Sequence, residues 1–342
     1  VSPKATALAA RIVLTAAGGA LFLASAWVCD DAYISFRSLD NLLHGYGLRW
    51  NVDERVQPFT HPLWLLLHIP LSALTGEVFY TTLGLSLALS VAALYRGTRL
   101  LAGQPPWLMA LAALPLLLSQ AFRDYATSGL ENPLTYLLLA LFAVRLLDEH
   151  APSPTALAVP AGLAALNRLD TLLLFAPALV WLAVRARGRV VRPLLLGFAP
   201  LALWELFSLF YYGAPFPNTR YAKLPPNAVP EWHLENGARY VVNLVQEDPA
   251  SAALLAAALA FGVGAAVAWA AGRREARPPS GPALLAAGIL AYGSYVVAIG
   301  GDFMQGRFFA APVFAAALLL WSALPGERSR LPERWVAAGL AA

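Results

Sequence analysis

The sequence predicts an all-α, polytopic integral membrane protein with about 10–11 transmembrane helices. Three observations point there. Of 342 residues, 59% are apolar and only 13% charged, against about 45–50% and about 25% in soluble domains. Apolar runs long enough to span, or nearly so, recur along the chain. The basic residues gather in alternate connections.

A bilayer core takes about 20 apolar residues per helix. Such segments lie near 10–29, 78–101, 107–122, 131–148, 153–167, 171–187, 193–212, 250–272, 282–300 and 308–325. The first reads as a signal anchor, because more spans follow it. Residues 335–342 are apolar and are expected to begin a further, truncated span. Pro, Gly and Ala are frequent within these segments, as suits close-packed membrane helices.

With the N-terminus inside, fifteen of the 24 basic residues face the cytoplasm, beside five acidic ones. The opposite side carries nine basic and fourteen acidic residues. The positive-inside rule favours this orientation. Topology thus accounts for the net charge of +4, and no basic domain suggests nucleic acid. Cys29 is the single cysteine, which excludes an intramolecular disulfide or a cysteine zinc site. No Gly-rich nucleotide loop is present.

The first outer connection, about 30–77, is expected to carry the catalytic groups. Ile34, Leu39, Leu42 and Leu43 recur at near-helical spacing, which predicts an interfacial helix over 33–44. His61-Pro62 opens a second apolar stretch, 61–74, too short for a comfortable span and read as re-entrant or interfacial.

Four further polar motifs fall on the same outer face: 127–133, 167–170, 216–223 and 300–309. Asp30 and Asp31 stand where the first span ends. Carboxylates there are costly without a partner or a task. They are read as a catalytic base or a divalent-cation pair, against the plain alternative of a solvated end to the span. Tyr33 and Arg37 follow on the same loop. Asn218, Arg220, Tyr221 and Lys223 could hold a phosphate at headgroup level; lipid snorkelling is the alternative. Arg307 could hold a phosphate or simply pair with Asp302. Glu131 opens a helix, where a carboxylate also suits the macrodipole. Arg168 and Asp170 read as a structural ion pair beneath the site. His61 reads as a lining residue.

These outer motifs resemble the GT-C superfamily of integral membrane glycosyltransferases. More narrowly, they are similar to the mycobacterial terminal arabinofuranosyltransferases and their bacterial relatives. Asp30-Asp31-Ala-Tyr-Ile-Ser-Phe-Arg37, Ser128-Gly-Leu-Glu131-Asn-Pro133, Arg168-Leu-Asp170, Phe216-Pro-Asn218-Thr with Lys223, and Gly301-Asp302-Phe-Met-Gln-Gly-Arg307 carry the resemblance.

The resemblance implies one GT-C domain over 1–342, working on the outer face of a bacterial cytoplasmic (inner) membrane. It implies a polyprenyl-phosphate sugar donor, decaprenyl-phospho-arabinose, and a cell-envelope glycan acceptor of the arabinogalactan kind. Asp30 and Asp31 would be catalytic. Tyr33, Arg37, His61, Glu131, Asn218, Arg220, Tyr221, Lys223, Asp302 and Arg307 would bind substrate. A divalent cation, Mg²⁺ or Mn²⁺, at Asp30 and Asp31 stays open. The mycobacterial relatives continue into a soluble C-terminal domain, whereas this sequence stops at Ala342. Two alternatives remain: transfer of another pentose or hexose to a surface protein or glycan, and a non-enzymatic lipid-sugar transporter.

Overall fold

The computed structural model describes residues 3–148, 152–186, 188–219, 230–271 and 280–324. The described residues form helices and no strand, with a long non-helical connection over 44–61. In chain order the helices are α1 Pro3–Ala24, α2 Asp30–Leu43, α3 Pro62–Thr75, α4 Phe79–Gly97, α5 Pro106–Leu118 and α6 Gln120–Asp124. There follow α7 Asn132–Asp148, α8 Pro154–Asn167, α9 Leu172–Ala186, α10 Val191–Tyr212, α11 Pro230–Glu247, α12 Pro249–Ala270, α13 Ser280–Ala298 and α14 Ala310–Ala323.

Each of the ten expected spans has a helix. Four of the described helices are long and apolar enough to cross a membrane: Lys4–Ala24, Val191–Tyr212, Pro249–Ala270 and Gly281–Ala298. Polar punctuation shortens others. The stretch expected over 107–122 breaks at Ser119, whose side chain accepts the Phe122 N–H and starts α6. The first helix ends at Ala24, not at residue 29. Beyond it the Trp27 indole donates to the Asp124 carbonyl, and the Cys29 N–H donates to the Ser128 carbonyl. Proline sits in the first turn of α3, α5, α8 and α12, where no helical donor is lost.

The interfacial helix expected over 33–44 forms as α2 but starts earlier. Asp30 and Asp31 lie in its first turn, not in a preceding turn. Hydropathy gives no sign of α11, whose apolar residues are interrupted by polar and charged ones. The segment from 335 lies outside the described residues.

The core sits around α7 and α14. Every residue of α14 from Ala310 to Leu319 is buried. Phe122, Phe314, Tyr136 and Phe22 close one aromatic cluster there, with Phe122 stacked on Phe314 at 5.2 Å. By contrast α10 leaves Leu195, Leu196, Leu203, Leu206 and Phe210 exposed, a face suited to lipid. Glycines permit its close approach to α8. A Cβ at Gly162 would collide with the Gly197 carbonyl, and one at Gly197 would stand 2.5 Å from the Ala158 carbonyl oxygen. A second small core of Leu39, Leu48, Phe59, Leu65, Leu166 and Trp204 fastens the outer connection to α8 and α10.

Candidate active site

Four of the five outer motifs meet at one end of the helices around Glu131. This residue is 2% exposed and precedes α7. Gly129, at φ +81°, turns the chain into that helix, and its carbonyl accepts the Trp64 indole N–H at 2.9 Å. A Cβ there would come within 2.9 Å of Ala32 and Val28, so only glycine lets α2 approach this turn. The Asn167 amide, at the end of α8, donates to the Glu131 carbonyl and to Thr135 Oγ1, both at 3.0 Å.

Two arginines reach the Glu131 carboxylate. Arg168 Nη1 donates to Oε1 at 2.7 Å, while its Nε donates to both oxygens of Asp170 at 2.8 and 2.9 Å. Arg307 Nη2 lies 3.7 Å from the same Oε1. Its Nη1 stands 3.3 Å from Asp31 Oδ2 and 3.4 Å from Asp302 Oδ2. Both guanidinium groups lie over the Phe308 ring, at 4.5 and 5.9 Å.

On the far side of Glu131, His61 Nδ1 stands 3.2 Å from Oε2. The contact is an ion-pair distance and not an aligned hydrogen bond, since neither atom has a hydrogen-bond partner. His61 Nε2 is 2.7 Å from Ser35 Oγ.

Burial alone would raise the Glu131 pKa. Arg168 and Arg307, helped by His61, outweigh that and hold it well below 4.5. Burial would likewise strip the proton from Arg168, but Asp170 and Glu131 raise its pKa further still. Both groups are therefore charged throughout the working range. Burial pushes the Cys29 thiol up to about 11, which removes it as a nucleophile.

The loop bearing Arg307 is held from two sides. Tyr125 donates to the Gln305 carbonyl at 3.0 Å. Tyr240 of α11 donates to the Met304 carbonyl at 3.0 Å and accepts the Phe308 N–H at 3.2 Å.

The structure thus brings together Asp31, His61, Glu131, Asp302 and Arg307. Asp31 is the accessible member, its side chain 28% exposed. Asp30 is exposed, and its Oδ1 accepts the Asp31 N–H at 2.9 Å, within the first turn of α2. Other expected site residues stand apart. Tyr33 is 50% exposed, edge-on to Phe36. Arg37 donates to the Trp50 carbonyl and to Asn51 Oδ1, so it braces the outer connection. The Asn218 N–H donates to the Gln57 carbonyl, and the residue is exposed. Arg220, Tyr221 and Lys223 lie outside the described residues.

Three contributors escape sequence reasoning: Ser35 as the partner of His61, Asn167 as the bracket on Glu131, and Tyr240 as the brace of the Arg307 loop. None carries a spacing signal, because each partner lies far away in the chain. For a divalent cation the donor set is thin. Among the described residues no three His, Cys, Asp or Glu side chains are placed to hold an ion together. Asp31 already faces Arg307.

Two curated relatives match the chain, both described as terminal beta-(1->2)-arabinofuranosyltransferase. The Mycobacterium tuberculosis protein is 31% identical over 360 residues, covering 92% of this chain and 56% of the relative. The Corynebacterium glutamicum protein is 31% identical over 331 residues, covering 85% and 47%. The chain spans about half the length of the curated relatives it matches. No family model matches it, and no solved structure does. The resemblance carried by five short motifs therefore extends over most of the chain.

Proposed function

We propose that this chain, which belongs to the family of the terminal arabinofuranosyltransferases, is a membrane glycosyltransferase. It would move D-arabinofuranose from a polyprenyl-phosphate donor to a cell-envelope glycan at the outer face of the cytoplasmic membrane. The observation that carries this reading is the single guanidinium of Arg307 set among Asp31, Asp302 and Glu131 at 3.3–3.7 Å. Such a site offers a fixed cation beside a partly exposed carboxylate.

Transfer breaks the bond between the anomeric carbon and the phosphate oxygen. A bond from that carbon to the acceptor oxygen forms. The acceptor proton goes to a base, and polyprenyl phosphate leaves. Arg307 is suited to hold the leaving phosphate, stabilising charge that grows as the bond breaks. Arg220 and Lys223 are proposed to share that task from the segment beyond α10.

The base must stand within hydrogen-bond reach of the acceptor hydroxyl as it meets the anomeric carbon, whose phosphate Arg307 would hold. Asp31, next to Arg307, meets that condition better than Asp30. Asp30, exposed at the helix start, favours the α2 macrodipole and the approach of the acceptor.

The test is product analysis. The full chain in proteoliposomes is incubated with polyprenyl-phospho-arabinofuranose and an arabinan oligosaccharide. Growth of the acceptor by one pentose is the expected result. Movement of the lipid-sugar across the bilayer with no product would favour the transporter and remove this reading.

A further inference from the structure

Asp31 and Ser35 lie one helical turn apart on the same face of α2. Each is engaged from outside the helix. Asp31 meets Arg307 at 3.3 Å, and Ser35 meets His61 at 2.7 Å. Both contacts then end on one carboxylate, since Arg307 and His61 approach opposite oxygens of Glu131. The result is a closed ring: Asp31, Arg307, Glu131, His61, Ser35, and back along α2.

Ser35 and His61 are 3% and 5% exposed. The order serine–histidine–carboxylate matches that of a hydrolytic triad, but this hydroxyl is shut away from solvent on the inner face of a helix. The His61 ring instead bridges the two residues, with Nδ1 facing the Glu131 carboxylate at 3.2 Å and Nε2 meeting the Ser35 hydroxyl at 2.7 Å.

We propose that His61 is a positioning residue, not a substrate ligand. It links α2 to Glu131 and so keeps the Asp31 carboxylate in register with Arg307. This rests on the reading of Asp31 and Arg307 as the reacting site. α2 needs such a tie. Its N-cap residue Cys29 makes no side-chain cap bond.

The two ring nitrogens can be separated by substitution. In His61→Gln the amide reaches the Nε2 position and meets Ser35 only. In His61→Asn it reaches the Nδ1 position and meets Glu131 only. The full chain is assayed with polyprenyl-phospho-arabinofuranose beside Ser35→Ala and the Ser35→Ala/His61→Asn pair.

Ser35→Ala and His61→Asn should each lower kcat by about 10- to 100-fold, the scale of an ångström's misplacement, with donor KM nearly unchanged. His61→Gln, which keeps Ser35 but gives up Glu131, breaks the same link and should lose about as much. The pair should be no worse than His61→Asn alone. Amide exchange over 31–38 should quicken in Ser35→Ala, His61→Asn and His61→Gln alike.

An unaltered kcat in Ser35→Ala or in His61→Gln, or a loss confined to donor KM, would overturn the proposal. Should His61→Asn fail to fold, Ser35→Ala decides alone. Should the unsubstituted chain transfer no sugar, the reading of the site fails, and amide exchange still decides whether His61 ties down α2.

Discussion

At Glu131, burial and charge work in opposite directions. A lone carboxylate 2% exposed would be neutral, yet Arg168 and Arg307 keep this one ionised. Its folded pKa is depressed, so its stabilisation is complete above the unfolded value of 4.5 and lost only as pH falls through the lower folded value. Replacing it with glutamine leaves two buried cations short of a partner. Glu131→Gln is expected to lower unfolding free energy by about 3–5 kcal/mol, the usual scale for breaking a buried pair, read as a thermal shift in detergent. The variant should also lose the part of the acid-limb pH dependence that Glu131 supplies. Arg307→Lys should fold nearly as well but lose activity, since one ammonium cannot face Asp31, Asp302 and Glu131 at once. Unimpaired turnover in that variant would count against a guanidinium at the reacting centre. Asp31, Arg307, Glu131 and Asp302 were legible in the sequence because charges are rare in so apolar a chain. Their pairing was not, for Asp31 and Arg307 stand 276 positions apart.

Among the elements, the span centres were legible and their ends were not. Hydropathy averages over a window, whereas a single hydroxyl ends α5 and starts α6 at Ser119. That corner is held by Asp248, which is 3% exposed. One of its oxygens accepts the Ala121 N–H at 2.8 Å, and the other accepts the Ser251 N–H at 3.1 Å. One carboxylate thus caps both α6 and α12. Asp248→Ala should cost about 1–3 kcal/mol, more than an ordinary cap, because buried donors are left unpaired. A melting temperature equal to that of the unsubstituted chain would show the cap to be dispensable. The α8–α10 crossing makes a second demand. Gly197→Leu cannot be fitted beside Ala158 without parting the helices, and the small core of Leu166 and Trp204 should loosen with them. Its signature is faster amide exchange over 44–61, the connection that rests on this core.

For the whole molecule, the two ends differ in kind. The outer end gathers carboxylates around two arginines. At the other end Arg11, 6% exposed, donates to Thr98 and to the Tyr95 carbonyl, and Arg99 pairs with Asp148. The proposed orientation puts that second end in the cytoplasm. Buried Cys29 should be inert to a membrane-impermeant thiol reagent, which leaves a clean background. Asp53→Cys, in an exposed stretch of the outer connection, should then label in intact cells. Gly103→Cys, exposed between α4 and α5, should label only after permeabilisation. The reverse pattern would place the site in the cytoplasm.

Everything proposed for the reaction depends on which carboxylate meets the acceptor. The most direct measurement compares kcat for pentose transfer in Asp31→Asn and Asp30→Asn with that of the unsubstituted chain, all confirmed as folded. The account predicts a loss of about 10²–10⁴-fold in Asp31→Asn, the size of a general-base contribution, and a much smaller loss in Asp30→Asn. Full turnover in Asp31→Asn would contradict it.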